Sequence, residues 1–229
     1  QEYVGQSHLL AEGCLLRELI AEDRIMSMIF WGPPGSGKTT LASLIAKESQ
    51  AHFLSFSAVL SGVKEIRGVV DEAKNQLRYH QRHTILFVDE IHRFNKAQQD
   101  AFLQHVESGL ITLIGATTEN PSFEVIAPLL SRARVLLLKP FSAEELEIII
   151  SRAMIDQDRG LGMLDLKIEE AALKHIVWSA DGDARTALNS LEAAASIASS
   201  SLKGHIQDHD KEGKTITLAI VEEAIQKKA

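Results

Sequence analysis

The chain of 229 residues is poor in cysteine and proline and has no long apolar run, and each shortage argues against a class of protein. Its single cysteine, Cys14, rules out an internal disulfide and any zinc site built from several cysteines. Only 5 prolines, together with 24% charged residues, argue against a disordered or low-complexity chain. No apolar run reaches the length of a membrane-spanning helix, so we expect no membrane partner.

Positive charge is also scarce, because 24 Lys and Arg stand against 31 Asp and Glu and leave a net charge of −7. No global basic field would attract nucleic acid, so any DNA site must be local or shared among subunits. The 45% of hydrophobic residues is enough to bury the core of one large domain or two smaller ones. Leucines at helical spacing around Cys14 predict that the thiol is buried filler in a helix, and a lone cysteine fits a reducing cytosol.

A glycine-rich stretch, GPPGSGKT at 32–39, has the pattern G-x-x-x-x-G-K-T of phosphate-cradling loops. Its glycines let backbone N–H groups converge on phosphate oxygens, Lys38 reaches the β- and γ-phosphates, and Thr39 offers a hydroxyl to Mg²⁺. A lysine in the first turn of a helix is unfavourable unless an anion is near. The predicted nucleotide-binding residues here are Gly32, Pro33, Pro34, Gly35, Ser36, Gly37, Lys38, Thr39 and Thr40.

Apolar runs alternate with helical patterns up to about residue 140. We predict strands at 26–31, 52–56, 84–88, 111–116 and 134–138. The predicted helices cover 7–22, 38–49, 63–82, a segment that Asn95 caps with Gln98 in a capping box, and 124–130. This alternation predicts a parallel, doubly wound α/β sheet.

After residue 140 the pattern becomes helical. A capping box formed by Ser142 and Glu145 opens a region whose predicted helices cover 146–154, 168–178, 184–198 and 218–225, with no strand. We therefore predict a nucleotide-binding domain at 1–140 and a small helical domain at 141–229. The polar segment 199–215 contains His205, Asp208, His209 and Asp210, which we interpret as a solvated loop rather than a metal site.

Two adjacent carboxylates, Asp89 and Glu90, follow the apolar strand at 84–88. In phosphate-loop proteins an acid at such a strand end holds Mg²⁺, often through water, and the next acid can polarise the attacking water. Ligands of open parallel sheets bind at the carboxyl ends of the strands. Thr118, at the end of the next strand, is therefore a candidate donor to the γ-phosphate, although a threonine that satisfies a turn has the same pattern.

Two arginines stand out by their position in the sequence. Arg132 lies between a short helix and the fifth strand. Arg185 falls in the first turn of a helix with Asp183 as its N-cap, where a cation is disfavoured and an anion is indicated. A salt bridge from Arg185 to Asp181 or Asp183 is the alternative.

These motifs and their order resemble the AAA+ ATPases, with Walker A at 32–39, Walker B at Asp89 and Glu90, sensor 1 at Thr118, an arginine finger at Arg132 and sensor 2 at 182–185. Two longer strings, FVDEIHRFNK at 87–96 and GATTENPSF at 115–123, resemble the family of replication-associated recombination protein A. Its eukaryotic relatives are the Werner helicase-interacting protein and the maintenance-of-genome-stability ATPase. The resemblance runs from about residue 1 to about residue 195.

The resemblance implies a phosphate-loop domain with a five-stranded parallel sheet, then an all-helical lid, with ATP and Mg²⁺ as ligands. Glu90 would activate water, and Thr39 and Asp89 would hold Mg²⁺, Asp89 through a water molecule. Thr118 would sense the γ-phosphate, with Asn120 as the alternative, because asparagine is more common at this position in the wider class.

Further roles follow from the same resemblance. Arg185 would couple the lid to the γ-phosphate, and Arg132 would reach into a neighbouring subunit's site. Tyr3 and Val4, in the segment YVGQ at 3–6, would lie against the adenine.

The resemblance also implies DNA as a partner, at stalled forks or single-strand/duplex junctions, together with replication and repair proteins. The full-length protein would be a homo-oligomer in the cytoplasm, nucleoid-associated in bacteria and nuclear in eukaryotes. The family also carries a C-terminal oligomerisation region, and we expect this chain to stop before it. Local candidates for DNA contacts are Lys64, Arg67, Arg93 and Lys96, for which solvated surface charge is the alternative.

We thus predict a DNA-stimulated ATPase that acts in recombination and repair. Alternatives within the class are a clamp-loader subunit and a branch-migration motor. An alternative from another class is a nucleotide-dependent switch or scaffold with little turnover. Glu90 and Arg132 together argue against it, because a pure switch does not need both. A small-molecule kinase with the same loop would lack the sensor arginine and the helical lid.

Overall fold

The computed structural model describes residues 3–57, 63–200 and 215–226, without the side chains of 57, 63 and 64. The chain divides into two compact units. The first consists of residues 6–33 and 37–139, apart from 58–62. The second consists of 3–5, 34–36 and the described part of 140–229.

The first unit is built on five parallel strands in the order β2-β3-β4-β1-β5. They are β1 (Met28–Trp31), β2 (His52–Ser57), β3 (Thr84–Asp89), β4 (Ile111–Thr117) and β5 (Arg134–Leu137). The two central strands β3 and β4 are buried almost throughout, as a sheet covered on both faces requires. The predicted α/β class and the five parallel strands are confirmed.

Seven helices connect or flank these strands in the described part of the first unit. They are α1 (Ser7–Leu10), α2 (Leu15–Ala21), α3 (Lys38–Glu48), α4 (Val63–His80), α5 (Lys96–Glu107), α6 (Pro121–Glu124) and α7 (Ala127–Leu130). The predicted capping box before α5 is confirmed. The Asn95 side chain accepts a hydrogen bond from the Gln98 N–H, and the Gln98 side chain accepts one from the Asn95 N–H. Phe56, Phe94 and Phe102 pack between the sheet and its helices with ring centroids 5.7–6.3 Å apart.

Two helix predictions are wrong in detail. The predicted helix at 7–22 is broken into α1 and α2, because Gly13 takes a positive φ of 80° that a continuous helix cannot contain. Cys14 consequently precedes α2 and is only half-buried, with its Sγ 3.4 Å from the carbonyl of His8. The predicted helix at 124–130 is likewise interrupted, since Val125 and Ile126 are extended between α6 and α7.

The second unit is a helical cluster with a small parallel ladder. Its elements are α8 (Ala143–Ile155), β6 (Lys167–Ile168), α9 (Glu170–Ala180), α10 (Ala184–Ser200), β7 (Thr215–Ile216) and α11 (Leu218–Gln226). The Ser142–Glu145 capping box opens α8 as predicted. The prediction of no strand was wrong, because β6 pairs with β7, and Ile216 is fully buried there. Two-residue strands are too short to show a period in sequence.

Most of the predicted polar loop, including His205, Asp208, His209 and Asp210, lies outside the described residues. Within the described ranges, no helix has both the length and the apolar character needed to cross a membrane.

Candidate nucleotide site

The glycine-rich loop leaves β1 at its carboxyl end and runs directly into α3. Gly32 passes so close to β5 that a Cβ atom there would lie 2.4 Å from the carbonyl oxygen of Leu138. Gly35 and Gly37 take positive φ values of 65° and 87°, a conformation that L-residues adopt at a cost. The glycines at these three positions are thus required by the backbone path of the loop.

Lys38 is the first residue of α3, and only 8% of its surface is exposed. Its Nζ donates hydrogen bonds of 2.8 Å to the carbonyl oxygens of Gly32 and Pro33. The loop therefore wraps around its own ammonium group, at a helix N-terminus where the dipole repels a cation and attracts an anion. Thr39 and Thr40, the next residues, are exposed and can reach a ligand at this end of the helix.

Asp89 ends β3, and Glu90 follows it with a left-handed φ of 55°. The Glu90 N–H lies 3.2 Å from Asp89 Oδ1, and both side chains are half-buried. The left-handed residue ends the strand and starts the short 3₁₀ turn Ile91–Arg93.

The next strand, β4, ends at Thr117, which is fully buried, while Thr118 is half-buried. Asn120 serves as the N-cap of α6, where its side-chain oxygen accepts the N–H of Ser122 at 3.0 Å. This contact uses the amide oxygen and leaves the N–H₂ group of Asn120 as a donor, so Thr118 and Asn120 both stay candidate donors toward a ligand.

The strand order brings these three groups together. β3, β4 and β1 are neighbours, with Val88 paired to Gly115 and Trp31 paired to Thr117. Parallel neighbours lie about 4.8 Å apart and end at the same edge of the sheet. The glycine-rich loop, the Asp89–Glu90 pair and the Thr117–Thr118 end therefore meet at the carboxyl edge of the sheet.

Arg132 is not part of this group. It precedes β5, whose first residue, Arg134, pairs with Met28 at the start of β1, so Arg132 lies at the amino edge of the sheet. Its guanidinium donates to the carbonyl of Pro128 at 2.9 Å and forms an ion pair with Glu107.

In the second unit, Arg185 stands exposed in the first turn of α10. The alternative salt bridge is not formed: within the described chain no ion pair joins Arg185 to Asp181 or Asp183. Asp183 instead accepts the N–H of Thr186 at 2.9 Å, as the predicted N-cap should.

The loop tip at 34–36 clusters with this second unit. The N–H of Ala184 lies 3.3 Å from the carbonyl of Gly35, and the Tyr3 hydroxyl lies 3.5 Å from the carbonyl of Ser36. Burial, and then the nearby Glu145 carboxylate, raise the pKa of Tyr3, which therefore stays protonated. Val4 is half-buried beside it.

Two family models match the chain. One, described as the ATPase family associated with various cellular activities (AAA), covers residues 28–141, and the other, the AAA C-terminal domain, covers 162–229. Replication-associated recombination protein A of Haemophilus influenzae is 50% identical over 225 residues, which is 98% of this chain and 48% of that protein. ATPase WRNIP1 of Dictyostelium discoideum is 46% identical over 197 residues, 84% of this chain and 22% of that protein.

The chain belongs to the AAA family of ATPases. Within that family it falls in the group of replication-associated recombination protein A and ATPase WRNIP1. The chain spans about half the length of the first of these relatives and 22% of the second. The Thermotoga maritima RuvB Holliday junction branch migration motor has a similar fold, with a TM-score of 0.72 and 26% identity over 97% of this chain and 69% of that one.

The donor set at the carboxyl edge of this AAA chain fits a magnesium–nucleotide ligand. Asp89 offers a carboxylate and Thr39 a hydroxyl, and no group of three or more His, Cys, Asp or Glu that could hold a metal occurs in the described ranges. Mg²⁺ commonly keeps several waters and takes one or two protein ligands together with substrate phosphates. Two oxygen donors beside a phosphate-binding loop match that preference.

Sequence reasoning missed two residues at this edge of the sheet, His92 and Thr117. His92 lies with its Nδ1 3.0 Å from Thr117 Oγ1 and 3.3 Å from Glu90 Oε2, so it stands beside the acid assigned to water activation. A signal was present, since His92 is inside the string used for the resemblance. Nothing in the string itself tells that the imidazole turns back toward Glu90.

Proposed function

We propose that this chain binds ATP with Mg²⁺ at the carboxyl edge of its sheet and hydrolyses it. The observation that carries the proposal is the convergence of three adjacent strand ends, bearing the Lys38 loop, the Asp89–Glu90 pair and Thr118. AAA family membership supports the same activity.

Each residue at this edge has a part in hydrolysis under the proposal. Lys38 releases the carbonyls of its own loop and pairs with β- and γ-phosphate oxygens, while the loop N–H groups bind the phosphates. Thr39 and Asp89 would hold Mg²⁺, which would supply positive charge to neutralise the phosphates. Glu90 accepts the proton of the attacking water, and Thr118 donates to the γ-phosphate.

Four further residues act from outside this edge under the proposal. Tyr3 and Val4 pack against the adenine, and Arg185 supplies a cation for the γ-phosphate. Arg132 completes a neighbouring subunit's site, where an arginine finger contributes about 10³–10⁵ in rate. The amino-edge position of Arg132 supports this, because an arginine at the opposite end of the strands is badly placed for its own site.

We further propose that ATP turnover serves work on DNA, as the relatives' names indicate for recombination. The net charge of −7 makes avidity across an oligomer necessary for useful binding. Three of the four candidate DNA contacts are exposed and available for phosphate groups, namely Arg67, Arg93 and Lys96. The side chain of the fourth, Lys64, lies outside the described part of the chain. A branch-migration motor is the second candidate, supported by the similar fold of the Thermotoga maritima motor.

The test compares steady-state ATPase rates of the natural full-length protein with and without forked DNA, with duplex DNA of the same length as the matched control. We expect the forked DNA to raise turnover in the assembled protein. If no DNA changes the turnover although ATP is still bound, the DNA-stimulated motor is rejected in favour of a nucleotide-dependent switch.

A further inference from the structure

The imidazole of His92 is placed between the proposed catalytic acid and the end of the neighbouring strand. Its Nδ1 lies 3.3 Å from Glu90 Oε2 and 3.0 Å from Thr117 Oγ1. His92 keeps only 16% of its side-chain exposure, and Thr117 is fully buried. Two buried or half-buried oxygen atoms therefore share one ring nitrogen.

The hydroxyl of Thr117 is itself held in place. It accepts the N–H of Glu119 at 3.0 Å, in the turn that follows β4 and contains Thr118. Thr117 is thus a fixed anchor rather than a rotating surface hydroxyl. Its position connects His92 to the same turn that carries the proposed γ-phosphate sensor.

The surroundings decide which atom carries the proton. If Nδ1 were unprotonated, its lone pair would face the Glu90 carboxylate at 3.3 Å, an electrostatic repulsion. With the hydrogen on Nδ1, the ring donates toward both Glu90 and Thr117. The geometry therefore favours an Nδ1–H donor shared by the carboxylate and the hydroxyl.

Packing fixes the ring's position as well. His92 sits in the 3₁₀ turn 91–93, and its neighbour Ile91 is 1% exposed against Gly115 of β4. A Cβ atom at Gly115 would lie 2.8 Å from Ile91 Cδ1, so the turn is seated directly on the strand backbone. A group held this firmly can restrict the rotamers of the flexible Glu90 side chain.

We propose that His92, anchored by Thr117, is a positioning residue that orients the Glu90 carboxylate for activation of the attacking water. The proposal rests on the proposed ATPase function. Misplacement of a reacting group by about 1 Å can cost about 10²-fold in rate, so the loss of this contact should be visible in turnover and not in ATP binding.

Matched variants at one position test the role. In asparagine the side-chain N–H₂ takes the place of Nδ1, whereas in glutamine it takes the place of Nε2. In the natural full-length protein we expect His92→Ala to lower kcat by about 10- to 100-fold with unchanged ATP affinity. His92→Asn should retain most of the activity, and His92→Gln should behave like His92→Ala.

Glu90→Gln, measured in parallel, distinguishes a failure of the His92 proposal from a failure of the proposed ATPase function on which it rests. If Glu90→Gln hydrolyses ATP at the wild-type rate, the proposed function fails. If Glu90→Gln is inactive but His92→Ala keeps the wild-type kcat, or the Asn and Gln variants have equal rates, only the role of His92 fails. Melting temperatures and ATP affinities of all variants exclude simple misfolding, and the Asn–Gln comparison remains decisive if His92→Ala is unstable.

Discussion

At the scale of single residues, Lys38 shows how this fold holds a charge that its surroundings oppose. The residue is 8% exposed and stands at the N-terminus of α3, where the helix dipole disfavours a positive charge. The carbonyl groups of Gly32 and Pro33 offset part of that cost. Phosphate oxygens would offset much more, because they carry full negative charge and lie toward the same helix end.

We predict that Lys38→Ala abolishes ATP binding. The substitution removes the one cation placed inside the loop, so the loop N–H groups face the phosphates alone. Titration with a fluorescent ATP analogue measures the affinity. Lys47→Ala is the matched control, since Lys47 is exposed at the other end of the same helix and should leave the affinity unchanged. Equal affinities for wild type and Lys38→Ala would refute the role assigned to Lys38.

A second prediction concerns Gly35, whose φ is 65° and whose absent Cβ would fall 1.8 Å from Asp183 Oδ1. Gly35→Ala should lower the free energy of unfolding by the backbone strain, of order 1–3 kcal/mol, and by the displacement of the Asp183 cap. Gly13→Ala is the control, because Gly13 has a similar φ of 80° with nothing within 4 Å. Urea unfolding of both variants compares them, and an equal loss would mean that the Asp183 contact contributes nothing.

The residue scale is also where sequence reasoning reached its limit. The string at 115–118 predicted a threonine at the end of β4, but sequence cannot tell which hydroxyl turns inward. The structure buries Thr117 and leaves Thr118 half-exposed. Side-chain direction at a strand end depends on the exact register with neighbouring strands, and for β1 and β4 that register pairs Trp31 with Thr117.

At the scale of elements, a buried glutamine joins α5 to the segment that leads into Arg132. Gln99 is 1% exposed, and its Nε2 donates to the carbonyls of Phe94 and Glu124 while its Oε1 accepts the N–H of Ile126. All of its side-chain hydrogen-bonding groups are thus used. Between the end of α6 and the start of α7, the Gln99 side chain thus supplies hydrogen bonds that a continuous helix would supply from its own backbone.

We predict that Gln99→Leu destabilises the protein by about 2–4 kcal/mol, because it leaves buried backbone groups without partners at about 1–3 kcal/mol each. Gln104→Leu, on an exposed position of the same helix, should change the free energy of unfolding by less than about 0.5 kcal/mol. Urea denaturation gives both values. A Gln99→Leu loss no larger than that of Gln104→Leu would show that the three hydrogen bonds are not needed.

Elements with strong local signals could be predicted from sequence, and the others could not. The five strands of the main sheet and the capping boxes before α5 and α8 rest on apolar runs and cap residues that act within a few positions. The ladder of β6 and β7 depends on residues 48 positions apart, such as Ile168 and Ile216. The break between α1 and α2 depends on the positive φ of Gly13, and sequence alone does not tell whether a glycine adopts it.

At the scale of the whole molecule, the position of Arg132 bears on the proposed assembly. It lines an open cleft of about 430 Å³ at the amino ends of β1 and β4, together with Ser27 and Glu107. The proposed phosphate-binding groups gather at the opposite edge of the same sheet. An arginine so placed can serve catalysis across a subunit boundary.

We predict that Arg132→Ala leaves ATP binding intact and lowers turnover only when the protein is assembled. Arg134→Ala is the matched control, because Arg134 is an exposed arginine two residues away, at the start of β5. ATPase rates measured across a range of protein concentrations, with the oligomeric state followed by light scattering, give the comparison. A loss of equal size in the monomer would place the action of Arg132 within its own subunit.

The central claim is that the carboxyl edge of the sheet hydrolyses ATP through Glu90, and single-turnover hydrolysis by Glu90→Gln tests it most directly. Glutamine keeps the size and polarity of the side chain but cannot accept the proton of the attacking water. With bound radiolabelled ATP, we expect the variant to hold ATP as tightly as wild type and to release phosphate at least about 10²-fold more slowly. Phosphate release at the wild-type rate from tightly bound ATP would contradict the account.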